Sequence, residues 1–105
     1  MKGGNRICLL TSLLNFTDQG IRTVTQTLDR AERAAEIAQK HGARLERVYW
    51  TVGPYDLLAI IEAPDEESAA ISLLEMGSWG NVRTTTLRAF EREAMSRIIE
   101  RLGPS

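Results

Sequence analysis

Ile7-Cys8-Leu9-Leu10-Thr11-Ser12-Leu13-Leu14 is the stretch that decides the fold. Read as a strand, it is apolar on both alternating sets, with Ile7, Leu9 and Leu13 on one and Cys8, Leu10 and Leu14 on the other. A strand that is apolar on both faces belongs in the middle of a sheet covered from both sides. Leu57-Leu58-Ala59-Ile60-Ile61, at the centre of a strand over 55–63, has the same character. The chain therefore offers two central strands, and the remaining segments must flank them.

Between these two strands, Thr17 suits a helix N-cap, and Asp18 falls in the first turn, where a carboxylate complements the helix dipole. The β-branched run of Thr23, Val24, Thr25 and Thr27 predicts a break near 26–28. From Asp29 the pattern is helical, with Ala31, Ala34, Ala35 and Ala38 on one stripe and Arg30, Arg33, Glu36 and Lys40 on the other. Gly42 is the expected C′ residue after His41. A second strand covers 43–52 and turns at Gly53-Pro54. Asp65 caps a helix with Ala70, Leu73 and Leu74 on its core side, ended by Gly77. A threonine-rich strand over 82–90 follows. The last element is an amphipathic helix over 91–102, with a Glu93–Arg97 pair one turn apart.

The order β-α-β-β-α-β plus a terminal helix is the split βαβ, or ferredoxin-like, arrangement. The class is α+β, with a four-stranded antiparallel sheet. Its first and third strands lie centrally in that topology, and these are the two that read as apolar on both faces. Helices cover only one sheet face in this fold. The other face would be left to water in a monomer, so a homodimer or higher oligomer through that face is expected.

At 105 residues the chain has the size of one domain, 1–105, with 1–6 and 103–105 as loose termini. Thirteen basic and 14 acidic residues give a formal net charge of -1, with the signs interspersed. That balance gives no reason to expect nucleic-acid or membrane partners. A lone cysteine, Cys8, excludes an internal disulfide and reads as a buried, inert thiol. The apolar stretch 7–16 is too short to span a bilayer, and no small-residue cleavage site follows it. The expected setting is cytoplasmic. With His41 the single histidine, no histidine metal set or Ser-His-Asp triad can form within one chain. His41 reads as a helix C-terminal residue, and neither haem, another cofactor nor a metal is expected.

Five segments in order, Phe16-Thr17-Asp18-Gln19-Gly20-Ile21-Arg22, Tyr49-Trp50-Thr51, Gly53-Pro54-Tyr55-Asp56, Glu62-Ala63-Pro64 and Gly80-Asn81-Val82-Arg83-Thr84-Thr85-Thr86, resemble the bacterial GYD-domain family. Here the family's Gly-Tyr-Asp carries Pro54 within it, and Leu28 stands near the place of its usual proline. The resemblance implies a dimeric α/β barrel, in which two ferredoxin-like protomers pack sheet to sheet. It implies no reaction.

The candidate site residues lie in loops and at strand ends. Asp56 could be a general base raised by burial, or an acceptor for the amides of the 53–56 turn, which is the preferred reading. Tyr55 could donate to a bound oxygen or plug the sheet end. Thr17 and Gly20 begin a helix whose free amides could hold an anion near Arg22. Asn81 and Arg83 could line the same cavity, whereas charges on an edge strand also guard against aggregation. Trp50 and Trp79 suit a pocket or plain packing. The expected function is binding of a small organic molecule between sheet and helices. The alternatives are a non-catalytic structural or regulatory oligomerisation module, and a cofactor-free enzyme acting by acid–base chemistry on a small organic acid.

Overall fold

The computed structural model describes residues 7–104; residues 1–6 and 105, most of the expected loose termini, lie outside the described residues. Four strands form one antiparallel sheet: β1 (Cys8–Phe16), β2 (Arg44–Trp50), β3 (Leu57–Ala63) and β4 (Val82–Ala89), in the spatial order β2-β3-β1-β4. As the apolar patterns require, β1 and β3 are central. Among the described residues four α-helices accompany the sheet: α1 (Asp18–Arg22), α2 (Thr27–Lys40), α3 (Glu66–Ser78) and α4 (Arg92–Leu102), with a 3₁₀ turn at Val24–Gln26. The architecture is the ferredoxin-like α+β fold. The break expected near 26–28 is that 3₁₀ turn, where β-branched side chains crowd a helical backbone.

Strand alternation sorts the core. Leu10, Ser12 and Leu14 of β1 and Leu57, Ala59, Ile61 and Ala63 of β3 face the helices and are buried. With Ala38 of α2, Ala43 and Ala69 of α3 the apolar ones among them make two clusters. The polar members are satisfied, as burial demands. Fully buried Ser12 shares a hydrogen bond with Thr86 Oγ1 at 2.9 Å, and Ser72 Oγ donates to the Ser68 carbonyl.

Both main helices are fixed at their ends by named contacts. The Asp65 carboxylate accepts the Ser68 amide at 2.7 Å, which holds its carboxyl below the ordinary carboxylate value. His41 Nε2 meets Glu75 Oε1 at 2.8 Å and ties the end of α2 to α3; this bond holds the Glu75 carboxyl low. Gly42 has φ +81°, the left-handed C′ conformation expected of it.

Two helix readings and one for Cys8 change. The core stripe of α3 is Ala69, Ser72, Leu73 and Met76, whereas Ala70 is exposed and Leu74 is 74% exposed. The stripe follows the spacing set by Asp65, so the helix is rotated by one position. The helix also runs through Gly77 to Ser78, because the left-handed residue that ends it is Gly80. Cys8 is half-buried against the first core cluster rather than fully buried.

Gly20 fixes how α1 meets β4. A Cβ placed there would lie 1.9 Å from the Asn81 carbonyl oxygen, backbone against backbone, so neither side can yield cheaply. Gly20→Ala is expected to cost about 3 kcal/mol or more, at the upper end of overpacking penalties. A thermal melt of the variant checks this, and an unchanged melting temperature would show that the junction is looser than described.

Candidate functional site

Between the helix face of the sheet and α2 lies a cavity of about 70 Å³. Its floor is Leu14, Leu57, Ala59 and Ile61, and its roof is Ala31 and Ala34 of α2, whose short side chains leave the space unfilled. Trp79, at the end of α3, closes one side. Polar groups enter through Ser12, Thr27, Arg30 and Asn81. Among the described residues no carboxylate, imidazole, thiol or phenol lines it.

Arg30 is the cavity's single cation among the described residues. Its Nη1 donates to the Thr23 carbonyl at 3.0 Å and to Thr23 Oγ1 at 2.8 Å, and its Nη2 to the Gly20 carbonyl at 3.2 Å. None of the ion pairs among the described residues includes it. The alanine stripe predicts Arg30 on the outer side of α2, and the structure corrects this. The spacing Thr27, Arg30, Ala31, Ala34 and Ala38 is the helical series i, i+3, i+4, i+7 and i+11, and it puts Arg30 on the inner face. A count from Thr27 instead of Ala31 finds it.

Of the residues singled out from sequence for a pocket, Asn81 and Trp79 line the cavity, Trp79 being equally suited to plain packing. The Asn81 Oδ1 accepts from Gln19 Nε2 at 2.9 Å, and the Asn81 carbonyl accepts the Thr17 amide. Trp50 touches the cavity's edge at second hand, its Nε1 donating to Thr27 Oγ1 at 3.0 Å. Thr17 and Gly20 build the adjoining corner. Thr17 Oγ1 accepts the Gly20 amide and donates to the Gly80 carbonyl, so the Gly20 amide already has a partner. Arg22 is paired with Asp18 at 2.9 Å on the exposed outside of α1. Arg83 pairs across the sheet with Asn15 and faces away from the cavity.

Asp56 immediately precedes β3. Its carboxylate accepts the Phe16 amide at 2.8 Å, and its own amide donates to the Leu14 carbonyl. The bond expected from the 53–56 turn amides is thus made across to β1 instead, where strand pairing runs out. Tyr55 is half-buried beside it, and its carbonyl accepts from Thr51 Oγ1.

On the opposite sheet face, β1 presents Leu9, Thr11, Leu13 and Asn15, and β3 presents Leu58, Ile60 and Glu62. Leu87 of β4 and Tyr49 of β2 lie beside them, each about half exposed at 51% and 48%. Among the described residues no helix covers this surface's centre. At one end, burial, a hydrogen bond with Glu46 and repulsion from Glu46 and Glu91 hold the Glu62 carboxyl above its ordinary value of 4.5, against the pull of Arg44. The helix α4 leaves β4 with none of its residues buried, and a cleft of about 890 Å³ separates it from Leu9 and Glu62. Its apolar side is bare, with Leu102 at 77% exposure. The Glu93–Arg97 ion pair expected on it is not formed. Among the described residues, no three His, Cys, Asp or Glu side chains come together as a metal site.

Comparison with known proteins adds three findings. The family model described as GYD domain matches residues 11–99. A Thermus thermophilus protein, "Glutamine synthetase and cystathionine beta-lyase binding protein", is 33% identical over 78 residues, covering 73% of this chain and 82% of that one. Among solved structures, MtbAldR superposes with a TM-score of 0.65 at 14% identity, over 81% of this chain. The chain spans about half of that protein's length, 52%. A second structure, TTHA0845 from Thermus thermophilus, gives a TM-score of 0.52 at 24% identity, over 80% of this chain and 94% of its own. Both structures are similar in fold.

Two outcomes test this description. Asp56→Ala leaves the Phe16 amide without its acceptor and is expected to cost about 1–3 kcal/mol. Asp56→Asn keeps an acceptor and should recover most of that in parallel melts; a melting temperature above wild type would instead mark the carboxylate as a strained functional group. For Glu62 the folded protein holds its proton more tightly than the unfolded chain. Stability is therefore lost as pH rises from about the ordinary value through the raised one. Glu62→Gln should melt higher than wild type at pH 7 and equally at pH 4. Equal melts at both would remove the raised carboxyl.

Proposed function

The chain belongs to the GYD-domain family, and from that premise we propose that it is a non-catalytic binding module that works as a homo-oligomer. The observation that carries this is the uncovered sheet face, with Leu9, Leu13, Leu58, Ile60, Leu87 and Tyr49 on one surface. Leu87 and Tyr49 are about half exposed and the other four partly buried, so completing their burial is worth at most about 1 kcal/mol each. Two copies together supply a gain comparable with the roughly 4–15 kcal/mol that association costs. Sheet-to-sheet pairing gives the dimeric α/β barrel that the family resemblance implies. The bare apolar side of α4 and the cleft beside it extend the same interface, so that each copy's terminal helix lies over its partner's sheet end.

For the assembled module we propose protein partners. The Thermus relative is named for binding two enzymes, and this chain's cavity holds no group able to move a proton. The exposed Ile71 and Leu74 on the outer side of α3 stay free in a sheet-to-sheet dimer and offer a partner an apolar foothold. The proposed setting is the bacterial cytoplasm. Among the described residues no helix is long and apolar enough to cross a membrane.

A second reading, a small organic molecule held in the sheet–helix cavity, is favoured by one observation. Arg30 lines an apolar cavity with no carboxylate partner among the described residues.

Light scattering on the eluting protein tests the oligomer. Wild type is expected at twice the chain mass or a multiple of it. Leu58→Glu, on the open face and outside the helix-side core, should give a monomer with unchanged circular dichroism. A folded wild-type monomer at micromolar concentration would overturn the proposal. Co-elution with the source organism's own glutamine synthetase or cystathionine beta-lyase tests the partner assignment; failure with both would remove it.

A further inference from the structure

We infer that the sheet–helix cavity is a binding site for a short-chain aliphatic monocarboxylate, its carboxylate held by Arg30 and Asn81. The inference rests on the second reading above and names its ligand class.

The donors come first. A guanidinium carries five N–H groups. Both on Nη1 and one on Nη2 of Arg30 are used on Thr23 and Gly20, which leaves Nε–H and one Nη2–H without a partner among the described residues. Those bonds hold the planar head from one side, so its remaining edge is fixed in direction. A guanidinium edge of this kind matches the two oxygens of a carboxylate. Asn81 lines the same cavity. Its Oδ1 faces Gln19 Nε2, which orients the amide and leaves Nδ2 as a further donor. Two side chains from different elements, α2 and the loop before β4, thus offer donors and no matching acceptor.

Size and lining set the rest of the ligand. A single water occupies about 10–15 Å³ on this measure, so a cavity of about 70 Å³ takes a tail of roughly four or five heavy atoms. Leu14, Leu57, Ala59 and Ile61 present hydrocarbon to it, with Ala31 and Ala34 above. A branched four-carbon tail fills that volume. No Asp or Glu lines the cavity, so an α-amino acid would bring in an ammonium with nothing to pair it. Net positive charge and the lack of an anionic partner select an acid without an amino group.

Thermal shift and calorimetry with sodium isovalerate test the inference, with isovaleramide, leucine and sodium chloride as comparison probes. Isovalerate at millimolar concentration is expected to raise the melting temperature, and the other three to leave it unchanged. Arg30→Met should abolish the isovalerate shift. Because Arg30 also ties α2 to Gly20, Ala34→Leu supplies a variant that keeps the cation and fills the space. It should melt at or above wild type and lose the shift. Equal shifts from isovalerate and isovaleramide would overturn the carboxylate assignment and leave the cavity reading standing. No shift from either would overturn both. A full isovalerate shift in Ala34→Leu would place binding elsewhere and overturn the inference.

Discussion

Everything in this molecule depends on the pairing of β1 with β3 at the centre of a sheet that α2 and α3 pack against on one face. The two strands run antiparallel, Cys8 opposite Ala63 and Leu14 opposite Leu57, and each is apolar on both faces. One face finds its cover in α2 and α3. The other has no cover at its centre among the described residues, and a small domain cannot absorb that imbalance by growing its core. A second copy presenting the same face removes it without any new element. The ferredoxin-like topology and the proposed oligomer are therefore two consequences of one strand pattern.

The helix side carries a second constraint, that of close approach. Alanines at 31, 34 and 38 let α2 lie near the sheet, and Gly20 lets α1 touch the backbone of Asn81. Close approach at the ends of an element and short side chains in its middle do not fill space evenly. Ala38 is packed into the first core cluster, while Ala31 and Ala34 face open volume. The cavity is the remainder. Arg30 enters it because the 3₁₀ turn and α1 bring the carbonyls of Gly20 and Thr23 round to its head.

Elements and topology are legible in the sequence because they follow from periodicity. Strand centres, the break before Thr27, the Asp65 cap and the Gly42 stop each depend on residues close in the chain. The site is less legible, because it is assembled from residues distant in sequence. Asn81 stands out through its loop, but Arg30 reads as solvent-facing since charge is the usual mark of an outer helix face. A shift of one position decides both that reading and the one for α3, where Leu74 is more apolar than Ser72 and yet Ser72 is the buried one. Hydropathy ranks residues, whereas burial here follows the helical angle set by the caps. Asp56 reads as a turn residue, and its acceptor role is real, but its partner Phe16 lies 40 positions away. No local pattern encodes such a bond.

The two proposed surfaces lie on opposite faces of the same strands, and the strand period of two separates them. Leu57 faces the cavity and its neighbour Leu58 the open side; Leu14 and Leu13 divide in the same way. A substitution at Leu58 or Leu13 therefore changes the pairing surface without adding or removing an atom of the cavity lining. One at Ala34 changes the cavity and leaves the pairing surface intact. Oligomer assembly and ligand capture can each be lost alone in this chain. If they are nevertheless coupled in solution, the coupling must pass through the sheet itself, and β1 is the strand placed to carry it, since it alone pairs with both β3 and β4.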